Sequence, residues 1–174
     1  ETVCLGFIYI IRDPRDVAVS LSKHMGIDIK IALKEMLSNT KRMTSVHKVN
    51  ELVATWKDNV DSWMQFRSVP RLVLKYEDMI NDPNSSIFQI ADFLNKISNL
   101  NLKTNKDFLK NVKFSTSFKK LQLLEKNQKF GEATVHSRFF REGISGGWKR
   151  ILTDKQAKQI EDNLSIPMKY LSYL

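Results

Sequence analysis

The hydrophobic pattern changes abruptly near the start of the chain. Residues 3–11 form an apolar run rich in β-branched and aromatic side chains, and it ends at Arg12. A short run that is apolar on both faces is typical of a buried central strand in a parallel sheet. Asp13 and Pro14 suit the cap and the first position of a helix. The pattern therefore predicts a buried strand that leads directly into a helix, with Arg12 at the carboxyl end of the strand.

Helical periodicity dominates the next part of the chain. Residues 17–41 follow a helical pattern with a break at Gly26, and the polar residues 38–45 are interpreted as a plain connection rather than a lid. Apolar side chains then recur at steps of three and four along residues 46–66. This spacing predicts one amphipathic helix with its apolar stripe in the core.

A second short strand is expected over residues 71–76, after Pro70. A long helix followed by such a strand indicates an α/β crossover, which makes the two strands parallel neighbours. Tyr76 would then lie at the carboxyl end of its strand, beside Arg12. Further helices are predicted after the turn at 81–85, near Phe108, after the loop at 114–118 and over residues 154–164.

The composition indicates one globular domain without disulfides. The chain has 174 residues, 42% of them hydrophobic, and a single cysteine, Cys4, within the apolar run. We therefore expect one domain and a buried thiol. No signal-peptide pattern and no apolar run of membrane-spanning length occur, so a soluble, cytoplasmic protein is expected.

The charge favours an anionic partner. Lysine and arginine outnumber aspartate and glutamate 28 to 19, giving a net charge of +9. Such a balance suits a phosphorylated cofactor or a polyanion. The basic residues are spread along the chain, without a dense cluster or an RNA-binding aromatic signature, so a nucleic-acid-binding module is only the alternative.

Arg12 and Ser20 form a candidate phosphate site. Ser20 lies eight residues after Arg12, roughly two turns into the predicted helix. Its hydroxyl could approach the same anion that the guanidinium binds. A solvated arginine at a strand end and an unrelated helical serine remain the alternative.

Two later segments carry weaker signals. Thr116 could hydrogen-bond the edge of an adenine while Phe118 stacks on its ring, although a helix cap with a core phenylalanine explains the same residues. The three glycines within residues 143–147 follow Arg141, and they could turn main-chain N–H groups inward as an anion-binding nest. A glycine-rich turn without a ligand is the alternative there.

Together these segments resemble the PAPS-dependent sulfotransferase family. The 3′-phosphate motif of that family, an arginine at a strand end and a serine eight residues later, is matched by Arg12 and Ser20. The strand ending in Tyr-Glu-Asp-Met is matched from Tyr76, the Thr-Ser-Phe segment at residues 116–118, and the Arg-Lys-Gly-x-x-Gly-Asp-Trp-Lys segment at residues 141–149.

The resemblance implies a fold, an activity and a cofactor. The fold is α/β, a P-loop-containing nucleotide hydrolase-like three-layer sandwich with a central parallel sheet, and residues 1–174 would be one sulfotransferase domain. The activity is transfer of a sulfuryl group from 3′-phosphoadenosine 5′-phosphosulfate (PAPS) to a hydroxyl or amine of a small molecule, glycan or peptide, without a metal. A P-loop kinase-like protein is a further alternative, which the Arg12 and Ser20 pair disfavours.

The resemblance also assigns roles to residues. Arg12 and Ser20 would hold the 3′-phosphate, with Arg141 and the Gly143 backbone closing over it, and Tyr76 would contact the adenosine together with the Thr-Ser-Phe segment. The complete set of cofactor-binding residues implied by the motifs is Arg12, Ser20, Tyr76, Thr116, Ser117, Phe118, Phe140, Arg141, Glu142 and Gly143.

The chain departs from the family pattern at several positions. Glu142 stands where lysine is usual, which reverses a charge beside the phosphate, and Gly147 replaces an aspartate. The family's dimer motif keeps Thr153 but has Lys158 in place of glutamate, so the oligomeric state stays open.

The family's catalytic groups have no counterparts in this sequence. Its phosphosulfate-binding lysine and its histidine base both precede the strand that carries Arg12, and His24, His47 and His136 do not match that base. We therefore identify no catalytic residue here. We expect an N-terminal portion to be missing, and the chain as given to lack groups needed for full turnover.

Overall fold

A computed structural model describes residues 4–38, 41–45, 48–128 and 136–174, with the backbone alone for 41–45, 48–53 and 128. The strands are β1 (Phe7–Ile11), β2 (Lys41–Ser45), β3 (Lys48–Val53) and β4 (Arg71–Lys75). The helices are α1 (Pro14–Met25), α2 (Ile29–Leu37), α3 (Trp56–Gln65), α4 (Tyr76–Asn81), α5 (Pro83–Ile97), α6 (Lys106–Ser115), α7 (Phe118–Gln128), α8 (Asp154–Asn163) and α9 (Ser165–Tyr170), with a 3-10 turn at Gly147–Arg150.

The chain divides into two compact units. The first contains Glu1–Arg12 and Phe66–Ser145, and the second contains Asp13–Gln65 and Gly146–Leu174. β1, β4 and helices α4 to α7 therefore belong to the first unit, and the remaining elements to the second. The expectation of a single domain over residues 1–174 stays a prediction.

The first unit is built on a parallel pair of strands. β1 and β4 pair from Phe7 with Arg71 to Ile11 with Lys75, which confirms the predicted parallel neighbours. The start of β1 approaches the chain before β4 closely, because a Cβ on Gly6 would lie 2.9 Å from the carbonyl oxygen of Pro70. The core of this unit contains Ile11, Leu74, Ala91 and Phe93.

Two burial predictions for the start of the chain are wrong. Ile8 and Ile10 are 36% and 49% exposed, so β1 is not buried on both faces. In the part of the chain that the structure describes, β1 pairs with β4 alone, and only the face carrying Ile11 lies against the core. Cys4 is also exposed, because it precedes the first paired residue, Phe7.

The second unit begins with the predicted helix. Asp13 caps α1 by accepting a hydrogen bond from the Arg15 backbone N–H at 2.9 Å, and Pro14 occupies the first turn. Gly26 ends the helix at φ 64°, in the left-handed region that glycine adopts without steric cost. The predicted helix start and break are thus confirmed. The core of this unit contains Ala18, Leu33, Val60, Ile160 and Met168.

The helix predicted over residues 46–66 is wrong in its first half. β2, in the stretch predicted as a plain connection, forms an antiparallel hairpin with β3, which occupies the first half of the predicted helix, and α3 begins only at Trp56. Thr55 starts α3, because its Oγ1 accepts a hydrogen bond from the Asp58 N–H at 3.1 Å. Apolar residues at helical spacing before this cap lie in a strand, since pairing with β2 satisfies their backbone.

The remaining helices agree with the pattern, with one difference. α5, α6, α7 and α8 confirm the predicted helices. The difference is α4, which follows β4 directly although the pattern predicts no helix there; Glu77 and Asp78 lie in its first turn, where acidic side chains complement the helix dipole. Across the described ranges, no helix combines the length and apolar character needed to cross a bilayer.

Candidate nucleotide-binding site in the first unit

The guanidinium of Arg12 is fixed by three features of the first unit. Ile11 pairs with Lys75, so Arg12 and Tyr76 both follow the ends of parallel strands. The guanidinium carbon lies 4.2 Å from the centroid of the Tyr76 ring, a cation–π distance. Nη2 also donates a hydrogen bond to the carbonyl oxygen of Ile144 at 3.0 Å. The structure thus places Tyr76 beside Arg12, as the strand pattern predicts.

Arg141 brings a second positive charge to the same region. Burial lowers the pKa of Arg141, neighbouring Glu142 raises it, and the charge of Arg12 lowers it again. The last effect means that the two guanidinium groups repel each other. Glu142 is itself exposed beside them. Two half-buried arginines in mutual repulsion concentrate positive potential where an anion would relieve it.

Gly143 and Phe118 are in close contact. Gly143 has φ 63°, and a Cβ there would lie 2.5 Å from the Phe118 ring. Only glycine combines this backbone conformation with this approach. Phe140 packs edge-on against Phe118, with ring centroids 6.3 Å apart and planes at 81°. The predicted adenine-stacking residue therefore lies directly against the turn that follows Arg141.

Thr116 and Ser117 join α6 to α7. The Thr116 hydroxyl donates to the Val112 carbonyl at 2.8 Å, and the Ser117 hydroxyl donates to the Phe114 carbonyl at 2.9 Å. Both hydroxyl hydrogens are therefore used at the end of α6, and both oxygens keep lone pairs that can accept. These bonds lie at the C-terminal end of α6, whereas the capping alternative placed the hydroxyls at the start of the following helix, and they leave acceptors for an adenine amino group.

Ser20 belongs to the second unit. It lies on α1 and is half-buried. The predicted pairing of its hydroxyl with Arg12 around one phosphate stays a prediction.

Two residues of α7 contact the segment before Gly143, and neither was identified from the sequence. The Glu125 carboxylate accepts hydrogen bonds from the Phe139 and Phe140 N–H groups at 2.5 and 3.1 Å. The Gln122 side-chain amide donates to the Phe140 and Arg141 carbonyls, both at 3.1 Å. Their spacing on one face of the helix was visible, but a polar face alone does not indicate a partner.

In the second unit, Asp16 occupies the backbone groups of the later glycine turn. Its Oδ2 accepts from the Gly146 N–H at 2.7 Å, and its Oδ1 accepts from the Trp148 N–H at 2.8 Å. Asp16 is 3% exposed. In this half of the motif the N–H groups thus hold an anion as predicted, but that anion is the protein's own carboxylate, which corresponds to the alternative of a glycine-rich turn without a ligand. An aspartate in the first turn of a helix is usually explained by its interaction with the helix dipole. The sequence therefore did not indicate that Asp16 binds the backbone of the glycine turn.

Arg15, which lies on α1 as Asp16 does, contacts the Trp148 ring. The guanidinium carbon lies 4.2 Å from the Trp148 ring centroid. It pairs with Asp13 at 2.7 Å and with Glu161 at 2.6 Å, and donates to the Tyr173 carbonyl at 3.0 Å. Burial opposes the charge, but these carboxylates raise the pKa of Arg15 overall. The contacts tie α1 to α8 and to the C-terminal residues within the second unit.

Comparison with known proteins identifies the family. The model of the sulfotransferase domain matches residues 5–170. Among curated relatives, an amine sulfotransferase of Oryctolagus cuniculus is 25% identical over 94% of this chain and 56% of its own length. Sulfotransferase 2A2 of Rattus norvegicus is 32% identical over 88% of this chain and 53% of its own length. The chain thus spans about half the length of the curated relatives it matches.

Solved structures show the same fold. Mouse sulfotransferase SULT7A1 complexed with PAP superposes with a TM-score of 0.68 at 24% identity, over 93% of this chain and 58% of that one. Retinol dehydratase in complex with retinol and PAP gives 0.70 at 23% identity, over 93% and 47%. The predicted P-loop-containing nucleotide hydrolase-like α/β fold is confirmed. The matched motifs, the family model and these relatives together show that the chain belongs to the PAPS-dependent sulfotransferase family.

Proposed function

We propose that this chain binds the nucleotide part of PAPS and acts in sulfuryl transfer to a hydroxyl or amine. The observation that carries the proposal is the convergence of Arg12, Arg141 and the Phe118–Gly143 contact within one unit. Two cations and an aromatic ring beside a glycine turn suit a ligand that bears both a phosphate and a base. PAPS supplies the sulfuryl group, and its product PAP keeps the 3′-phosphate.

The roles of the residues follow from their contacts. Arg12 would hold the 3′-phosphate, since its contacts with the Tyr76 ring and the Ile144 carbonyl fix its direction. Arg141 would add a second charge, and the phosphate would offset the repulsion between the two guanidinium groups. Ser20 would donate its hydroxyl to the same phosphate, as the motif implies.

The other motif residues would contact the adenosine. Phe118 would stack on the base, and Phe140 supports its ring edge-on. Thr116 and Ser117 would accept hydrogen bonds from the adenine amino group, because their own hydrogens are donated to the end of α6. Tyr76 presents one ring face to Arg12, so its adenosine contact would use the ring edge or the hydroxyl.

Glu142 and Gly143 would contribute through the backbone. The Glu142 carboxylate is exposed and opposes a phosphate, so only its N–H suits binding. Gly143 lets the turn lie against Phe118, and its own N–H would contact the ligand. The acceptor is proposed only as a class, a hydroxyl or amine; among the relatives, the names amine sulfotransferase and flavonol 3-sulfotransferase indicate small molecules.

Calorimetry with three ligands tests the proposal. PAP, 5′-AMP and a single-stranded RNA oligonucleotide are titrated into the full chain at fixed ionic strength. We expect PAP to bind at least about tenfold more tightly than 5′-AMP, because only PAP carries the 3′-phosphate that the arginines would hold. Equal affinities for PAP and 5′-AMP would overturn it, and preferential, steeply salt-dependent RNA binding would favour the nucleic-acid alternative.

A further inference from the structure

One stripe of α7 contacts four of the five residues from Phe139 to Gly143. The stripe consists of Phe118, Gln122 and Glu125, which are spaced four and three residues apart and therefore share a helix face. Phe118 lies against Gly143, as the close approach of its ring shows. Gln122 and Glu125 contact the backbone two to four residues earlier. The helix thus contacts the segment along its length.

The Glu125 carboxylate holds the start of the segment. Both of its oxygens accept from consecutive N–H groups, those of Phe139 and Phe140, at 2.5 and 3.1 Å. Glu125 is only 8% exposed, so little water competes for these bonds. A buried carboxylate with two backbone donors is a charge-assisted contact, stronger than a neutral hydrogen bond.

The Gln122 amide holds the next part of the segment. Its Nε2 donates to the carbonyls of Phe140 and Arg141, each at 3.1 Å. The peptide groups on both sides of the Phe140 Cα are therefore bonded to α7, and so is the carbonyl of Arg141. These bonds restrict the backbone that carries the Arg141 guanidinium.

We propose that Gln122 and Glu125 are positioning residues for the nucleotide site, which set the backbone of Arg141 and Gly143 toward the 3′-phosphate. The inference rests on the proposed function of that site. Neither side chain need touch the ligand, since each acts through backbone groups that it bonds. Their polarity is matched to the segment, with an acceptor facing two N–H groups and a donor facing two carbonyls.

Near-isosteric substitutions reverse this polarity at constant size. Glu125→Gln sets an NH2 group against a backbone N–H, and Gln122→Glu sets a carboxylate oxygen against two carbonyls. The double variant carrying both changes keeps the composition and net charge of α7 while mismatching both contacts. Asn127→Ala, at an exposed position of the same helix, is the control. Thermal unfolding of each variant reports its folded state.

The readout is the ratio of 5′-AMP to PAP dissociation constants. Because 5′-AMP lacks the 3′-phosphate, a displaced Arg141 weakens PAP binding selectively. We expect this ratio to fall about tenfold in Glu125→Gln and in the double variant, and to stay unchanged in Asn127→Ala. A merely structural role would lower the melting temperature and leave the ratio of the folded protein as in the wild type.

The outcomes separate this inference from the function on which it rests. A wild-type chain that does not prefer PAP overturns the proposed function itself. A wild-type preference that persists in folded Glu125→Gln and Gln122→Glu variants overturns only the positioning role. If Glu125→Gln does not fold, Gln122→Ala carries the test, because it removes the donor without placing a charge in the contact, and the same fall in the ratio is expected.

Discussion

Two neighbouring glycine turns in one motif have surroundings of opposite charge. Gly143, in the first unit, and Gly146, in the second, both have positive φ, at 63° and 73°. The first turn lies against Phe118 and beside two arginines that repel each other. In the second turn, the N–H groups of Gly146 and Trp148 donate to Asp16.

The difference distinguishes the turn that is proposed to bind the nucleotide from a structural one. An anion nest needs inward N–H groups that are available to a ligand. In the second turn an internal carboxylate already takes two such donors, so that turn is satisfied by the protein. In the first turn two guanidinium groups lie beside the glycine. A glycine-rich motif in sequence therefore does not show which of its turns binds a ligand.

The largest effect is expected from removing a positive charge beside the Gly143 turn. Arg12→Ala should weaken PAP affinity by about a hundredfold, since it removes a charge-assisted contact with the phosphate. Arg67→Ala, at an exposed arginine of the same unit, is the matched control. Titration calorimetry measures both. Unchanged PAP binding in Arg12→Ala would exclude Arg12 from the site.

The next effect breaks the structural turn. Asp16→Asn replaces one acceptor oxygen by a donor facing a backbone N–H, in a buried place. We expect a loss of about 2 kcal/mol in the free energy of unfolding, with PAP affinity kept within about twofold of the wild type. Denaturant unfolding and calorimetry together test this division. A large affinity loss at unchanged stability would contradict it.

A matched pair of glycine substitutions sharpens the comparison. Gly143→Ala and Gly146→Ala both incur the left-handed backbone cost of about 1 kcal/mol. Only the first also forces a Cβ into the Phe118 ring, since nothing lies within 4 Å of the corresponding Cβ at Gly146. PAP affinity should therefore fall about tenfold in Gly143→Ala alone. Equal affinity losses in the two variants would remove the Phe118 contact as the cause.

The smallest effect concerns β1, the strand that precedes Arg12. Burial raises the pKa of Tyr9 from 10.0 to about 12. Above pH 10 the unfolded phenol loses its proton while the folded one keeps it, so this group's contribution to stability falls as pH rises toward 12. Between pH 9 and 11, unfolding free energies of the wild type should fall more steeply than those of Tyr9→Phe. Parallel slopes would contradict the shift.

Local signals in the sequence were sufficient for much of the fold. The Asp13 cap, the Gly26 stop and the parallel strands were predictable, because capping chemistry and apolar runs are short-range patterns. The β2–β3 hairpin was not, since β2 is polar and the apolar residues of β3 are spaced as in a helix, so that both strands depend on pairing with each other. The exposure of Ile8 and Ile10 was also hidden, because an apolar residue does not reveal what covers it.

In the candidate site, too, some contacts could be predicted from the sequence and others could not. The positions of Arg12 and Tyr76 followed from strand ends, and the positive φ of Gly143 suits the glycine there. The partners of Asp16, Gln122 and Glu125 are backbone N–H and C=O groups, which every residue carries. No residue type marks such a partner, so these contacts required the structure.

The register between β1 and β4 determines which side chains lie next to each other at the candidate site. Ile11 opposite Lys75 fixes which residues emerge together at the sheet edge. Inserting one residue inside either five-residue strand would turn the following side chains to the opposite face, because strands repeat every two residues. Insertions in the stretch between the strands leave that alignment intact, so evolution could lengthen or shorten the hairpin without moving Arg12 away from Tyr76.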